Sequence, residues 1–195
     1  IHYIYGDGTT GTLPTGRAEY AVGGGTRPTR VDGMGDPGTF EGEIAIDFGT
    51  LKMGWDTIIG MGNDRFNFLS AGGLDDLSIN VANAGNGVYR FAGDGTVISE
   101  LGRCEGCTGI ASGFLSGKDG RYVGFSYEIG TADFGAIHGV AGFERADLEG
   151  VPEEVTRNEQ VLNGIGNRIQ TTGFTAGRLS GYRGLGGISG VRGTA

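Results

Sequence analysis

Between residues 17 and 145 apolar side chains recur at every second position, and this period of two constrains the fold more than anything else in the 195-residue chain. In Glu43-Ile44-Ala45-Ile46-Asp47-Phe48, the side chains of Ile44, Ile46 and Phe48 share one face, with Glu43 and Asp47 opposite. Leu51, Met53 and Trp55 repeat the pattern against Lys52 and Asp56, and Val123, Phe125, Tyr127 and Ile129 repeat it again. Such runs are strands with one buried face. The alternation predicts strands near 17–22, 42–48, 51–60, 65–70, 76–81, 88–92, 109–116, 121–130 and 136–144. Turn signals separate them. Gly49-Thr50 reads as a two-residue hairpin loop and Gly117-Lys118-Asp119-Gly120 as another. Asp-Gly pairs at Asp7, Asp32, Asp94 and Asp119 supply positions where positive φ is cheap, and Gly23-Gly24-Gly25 also reads as a turn.

Short strands in chain order form a meander whose two sheet edges must be hidden. Closure on itself removes both, so the expected fold is all-β, a small up-and-down antiparallel barrel of about eight strands. A two-sheet sandwich satisfies the same periodicity. Glycine, at 43 residues, fits tight corners and strongly curved strands, while ten Phe and seven Tyr exclude a disordered chain. The expected organisation is an extended N-terminal segment 1–16, a barrel over 17–146, and a linker with a Gly/Arg-rich tail over 147–195. Pro152 followed by Glu153 and Glu154, with Asn163-Gly164 after them, predicts a short helix over 151–163.

The net charge of −8 argues against nucleic acid or an anionic membrane as the main partner, and no stretch approaches the ~20 apolar residues of a spanning helix. The charge is uneven: residues 151–195 hold five Arg and three Glu, which leaves −10 on residues 1–150. Beyond Glu159 every charged residue is basic: Arg168, Arg178, Arg183 and Arg192. Glycine spacing and positive charge suit an extended segment docking on an acidic body, its own or a neighbour's. The expected contact residues are Arg168, Phe174, Arg178, Tyr182, Arg183 and Arg192.

Cys104 and Cys107 form one C-x-x-C in a loop-like setting, and no second Cys or His pair completes a zinc site. The expected state is a local disulfide formed in an oxidising compartment. Asp75-Asp76 and the pair Asp32 and Asp36 lack the spacing of a calcium loop and read as turn carboxylates. No nucleophile–base or paired-carboxylate arrangement stands out, so the chain is expected to be noncatalytic, with no cofactor and no metal. His2 and His138 leave haem ligation as a minor option.

Several segments resemble a known family. Leu13-Pro14-Thr15-Gly16-Arg17-Ala18-Glu19-Tyr20, the hairpin Gly38-Thr39-Phe40-Glu41-Gly42-Glu43-Ile44-Ala45-Ile46-Asp47-Phe48-Gly49, and Gly113-Phe114-Leu115-Ser116-Gly117 stand in the family's order. Gly124-Phe125-Ser126-Tyr127 and the closing Ile137-His138-Gly139-Val140-Ala141-Gly142-Phe143 follow them. Over about residues 1–146 the chain is similar to the transferrin-binding-protein-B-like β-barrel of bacterial surface and secreted proteins. The resemblance implies an eight-stranded barrel with a packed interior, used for binding at the cell surface. Two functional readings result: a noncatalytic extracellular binding module, and a structural subunit whose tail docks on neighbouring copies. Both name a protein partner or self-association.

Overall fold

The computed structural model describes residues 2–104 and 107–146, together with the backbone of residues 168–171 and 174–178. Every regular element among them is a strand. In chain order these are β1 (His2–Gly6), β2 (Thr9–Thr10), β3 (Arg17–Gly25), β4 (Thr29–Arg30), β5 (Thr39–Asp47), β6 (Lys52–Met61) and β7 (Asp64–Ser70). They continue as β8 (Ile79–Asn83), β9 (Tyr89–Ser99), β10 (Thr108–Lys118), β11 (Tyr122–Thr131), β12 (Gly135–Arg145), β13 (Arg168–Thr171) and β14 (Phe174–Arg178).

Eight of them close a ring. β3 pairs with β5, then β6, β7, β9, β10, β11 and β12 follow in turn, and β12 returns to β3, each pair antiparallel. This is the expected up-and-down barrel, and the sandwich is excluded because no edge of the ring remains unpaired. The short β2, β4 and β8 attach to its margins. One end, the base, carries the turns after β5, β7 and β10; the other, the rim, carries those after β4, β6, β9 and β11.

The interior fills because large side chains meet missing ones. An eight-stranded barrel is just wide enough for side chains to occupy it. Trp55, Phe66, Phe68, Phe125, Phe143 and Tyr20 are fully buried. Facing them, β9, β10 and β12 contribute glycine and alanine. Gly95 and Gly109 are register partners, and a Cβ on either would lie 2.4 Å from the Phe68 ring. A Cβ on Gly113 would stand 2.4 Å from Phe91, and one on Gly139 would stand 2.1 Å from the Tyr127 hydroxyl. The Tyr127 ring stacks on Phe40 with centroids 4.9 Å apart. Its hydroxyl is buried without a hydrogen-bond partner, and burial raises its pKa well above the usual phenol value.

Three local expectations need correction. Asp94-Gly95 is not a turn: β9 runs through it to Ser99, because Gly95 makes room for the Phe68 ring and the Leu69 carbonyl. Gly23-Gly24-Gly25 is strand rather than turn. It ends β3 at a bulge, where β12 residues Gly142 and Phe143 pair with Gly24 and Val22, leaving Gly23 as the extra residue. The β5–β6 loop is longer than two residues: Asp47 pairs with Lys52, and Leu51 takes φ 50°. The Asp47 carboxylate accepts the Gly49 N–H at 2.8 Å, which lowers its pKa below the ordinary carboxylate value. The helix expected over 151–163 lies outside the described residues.

Three substitutions test this packing. Gly95→Ala is expected to lose about 1–3 kcal/mol, seen as a lower urea midpoint, while Gly130→Ala, whose Cβ would meet nothing nearer than 3.9 Å, stays within about 0.5 kcal/mol of wild type. Tyr127→Phe removes an unpartnered buried hydroxyl and is expected to be neutral or stabilising, by up to about 1 kcal/mol in the same assay.

Candidate binding faces

Strict alternation fails at Ala45 and Gly54 on β5 and β6, and over a longer stretch of the barrel wall on β11 and β12. On β11 and β12 the outward-pointing Tyr122, Gly124, Val140 and Gly142 are buried as well as their inward neighbours. The cover is a second sheet. β1 pairs with β14 and β14 with β13, all antiparallel, and the three strands lie against β3, β11 and β12. Register explains the placement: Gly124, Gly142 and Gly24 stand side by side on three neighbouring strands, giving a stretch of wall without side chains. Backbones can approach closely there.

Polar contacts fix the N-terminal segment in position. The His2 ring nitrogens hydrogen-bond the Thr26 and Thr29 hydroxyls, Nδ1 at 2.5 Å and Nε2 at 2.6 Å. The Ser116 hydroxyl donates to the Asp7 carbonyl at 2.7 Å, and β2 runs parallel to the end of β10. Further along, the Asp119 carboxylate accepts the Thr12 N–H, while the Tyr20 hydroxyl donates to the Gly120 carbonyl at 2.7 Å. Leu13 packs on the core beside Phe48 and Gly120, so the segment that began on the wall ends by covering the base.

The tail residues expected to make contacts divide. Phe174 and Arg178 bound β14, opposite Gly6 and His2 respectively, and Arg168 opens β13 opposite Gly177. The docking surface is thus this chain's own first strand. Tyr182, Arg183 and Arg192 lie outside the described residues.

A second feature occupies wall that no other described residue covers, beside this sheet. Asp94, Ile110, Glu128 and His138 fall in one row across β9, β10, β11 and β12. With Ser112 and Ser126 in the next row they line a shallow concavity of about 510 Å³. Ile110 is 53 % exposed at its centre. The His138 Nδ1 lies 3.4 Å from a Glu128 carboxylate oxygen, so a protonated imidazole would form an ion pair there. Only strand register brings the four together, and Asp94 joins the row because β9 continues past residue 92.

The rim is closed by other means. Cys104 and Cys107 are joined by a disulfide, and both pack against the core. Phe134 meets Phe66 edge to face at 5.9 Å and lies under the Arg30 guanidinium. Asp32 behaves as a turn carboxylate: it accepts the Met34 N–H at 2.8 Å, which lowers its pKa below the ordinary value, and it pairs with Arg30. Among the described residues no group of three or more His, Cys, Asp or Glu side chains is arranged to hold a metal ion, and no helix is long and apolar enough to cross a membrane.

No protein-family model matches the chain, and no curated protein matches it in sequence.

The disulfide closes so short a loop that its removal should cost at most about 2 kcal/mol. The double variant Cys104→Ser, Cys107→Ser is expected to keep the far-UV circular dichroism of the wild type with a modestly lower melting temperature.

Proposed function

We propose that this chain is a noncatalytic binding module displayed outside the cell, in the manner of the TbpB-like surface barrels it resembles, and that it takes its partner on the bare wall of β9–β12. The observation that carries this reading is the pairing of a filled interior with a shaped exterior. Aromatic rings occupy the barrel from Trp55 to Phe143, so recognition falls to the outside. There the row Asp94–Ile110–Glu128–His138 offers an exposed apolar side chain flanked by two carboxylates, within a body that carries an excess of acid. An apolar contact ringed by charge is the usual composition of a protein-binding patch. The complementary partner is a protein segment presenting Lys or Arg beside an aliphatic side chain. A disulfide-bonded cysteine pair suits an oxidising, extracellular setting.

The test uses a labelled peptide of alternating lysine and leucine, followed by fluorescence anisotropy in low salt. Saturable binding is expected. Glu128→Lys should weaken it roughly tenfold and Ile110→Asp by a similar factor, whereas Glu41→Lys, on β5 away from this wall, should leave it unchanged. Equal binding by all four proteins, or none by the wild type, would remove this wall as the recognition surface.

The second reading, a structural subunit that self-associates through its tail, draws on a separate observation: residues 174–178 pair with β1 through the backbone, a contact that the same strand of another copy can also offer.

A further inference from the structure

The way β14 is held has a consequence for pairs of molecules. The β13–β14 hairpin joins the rest of the fold through a backbone ladder to β1, from His2↔Arg178 to Gly6↔Phe174, and by stacking on β3 and β12. The barrel is already closed without it, and every copy of the chain carries the same acceptor: β1 over the glycine row Gly124, Gly142 and Gly24. Between the end of β12 at Arg145 and the start of β13 at Arg168 lie 22 residues of sequence. A link of that length can span up to roughly 70 Å when extended, against a radius of gyration of roughly 15 Å for a domain the size of the barrel.

We propose that the hairpin 168–178 exchanges between molecules, so that β14 of one copy adds to β1 of a second copy and the return exchange closes a two-fold dimer. Seated in cis or in trans, the hairpin makes identical contacts. The balance between the two is then set by protein concentration against the effective concentration conferred by the link. Charge supports the second copy as occupant. Residues 160–195 bear Arg168, Arg178, Arg183 and Arg192 and no acid, while residues 1–150 carry −10, so a neighbouring body attracts the tail as its own does. An unmatched arrangement, in which each copy gives its hairpin to the next, would produce a chain of subunits by the same contact. This inference deepens the self-association reading and is independent of the β9–β12 wall.

Tyr3 and Gly177 are register partners, which makes them reporters of where β14 sits. The full chain is prepared as Tyr3→Cys, as Gly177→Cys, and as the double variant, with the native Cys104–Cys107 pair left oxidised. The two single variants are mixed at high concentration, warmed to allow exchange, oxidised mildly, and compared with each single variant treated alone. Exchange predicts a covalent Tyr3→Cys–Gly177→Cys heterodimer in several-fold excess over either homodimer, rising with protein concentration, and a 40 kDa fraction of wild type in light scattering. If the double variant cross-links only within itself and the mixture gives no heterodimer, exchange is overturned. Should a wild-type dimer persist in that case, self-association itself survives through some other surface; a monodisperse monomer would end both. If no variant cross-links at all, the β1–β14 pairing is absent in solution and the inference falls with it.

Discussion

Closing eight strands into a ring leaves a bore that side chains must fill without overfilling, and this volume condition governs the rest of the molecule. Large rings on β7, β9 and β11 are accommodated only because glycines on β9, β10 and β12 present no side chain against them. Phe68 lies across two paired glycines, Phe91 against a third, and Tyr127 against a fourth. Packed at crystal-like density, such a core tolerates neither a gap nor an added methyl. The abundance of glycine in this chain is therefore as much a packing device as a turn device. It also explains why β9 can carry Asp94-Gly95 without leaving the sheet.

A closed ring still has two open ends and an outer wall, and the chain treats each differently. The base is covered by residues 7–16, with Leu13 reaching the core. The rim is covered by Phe134 and by the disulfide-bonded Cys104 and Cys107. Part of the wall is covered by the chain's first strand and its tail, stacked where three glycines adjoin. Among the described residues the row from Asp94 to His138 stays uncovered, as does the outer face of β5 and β6 around Glu41, Glu43 and Ile58. Covering and recognition are thus partitioned over one cylinder by the distribution of side-chain size.

The strands were legible from alternation, because burial on one face leaves a period that local sequence records directly; the choice of barrel over sandwich rested on the need to hide two sheet edges. Strand limits were less so. The β9 segment looked finished at residue 92 because Gly95 carries the same local signature in a turn as in a crowded strand, and only Phe68, nearly thirty residues earlier, distinguishes them. The same holds for Gly23 to Gly25, whose bulge is defined by β12. The disulfide was readable from its spacing. The concave wall was not: Asp94 reads locally as a turn residue, and the row it forms with Ile110, Glu128 and His138 depends on three strand registers. The tail's basic, glycine-spaced composition signalled docking, yet nothing in it named β1 as the acceptor, since backbone pairing leaves little trace in side-chain identity.

The antiparallel sense of β1 and β14 places His2 and Arg178 at the same end of their ladder. Tension applied between the two ends of the chain would therefore load the first pair alone and open the others in succession, as a zipper opens. Strands pulled apart in that direction yield at low force, whereas the barrel staves, each bonded on both sides, would be spared until the hairpin had come away.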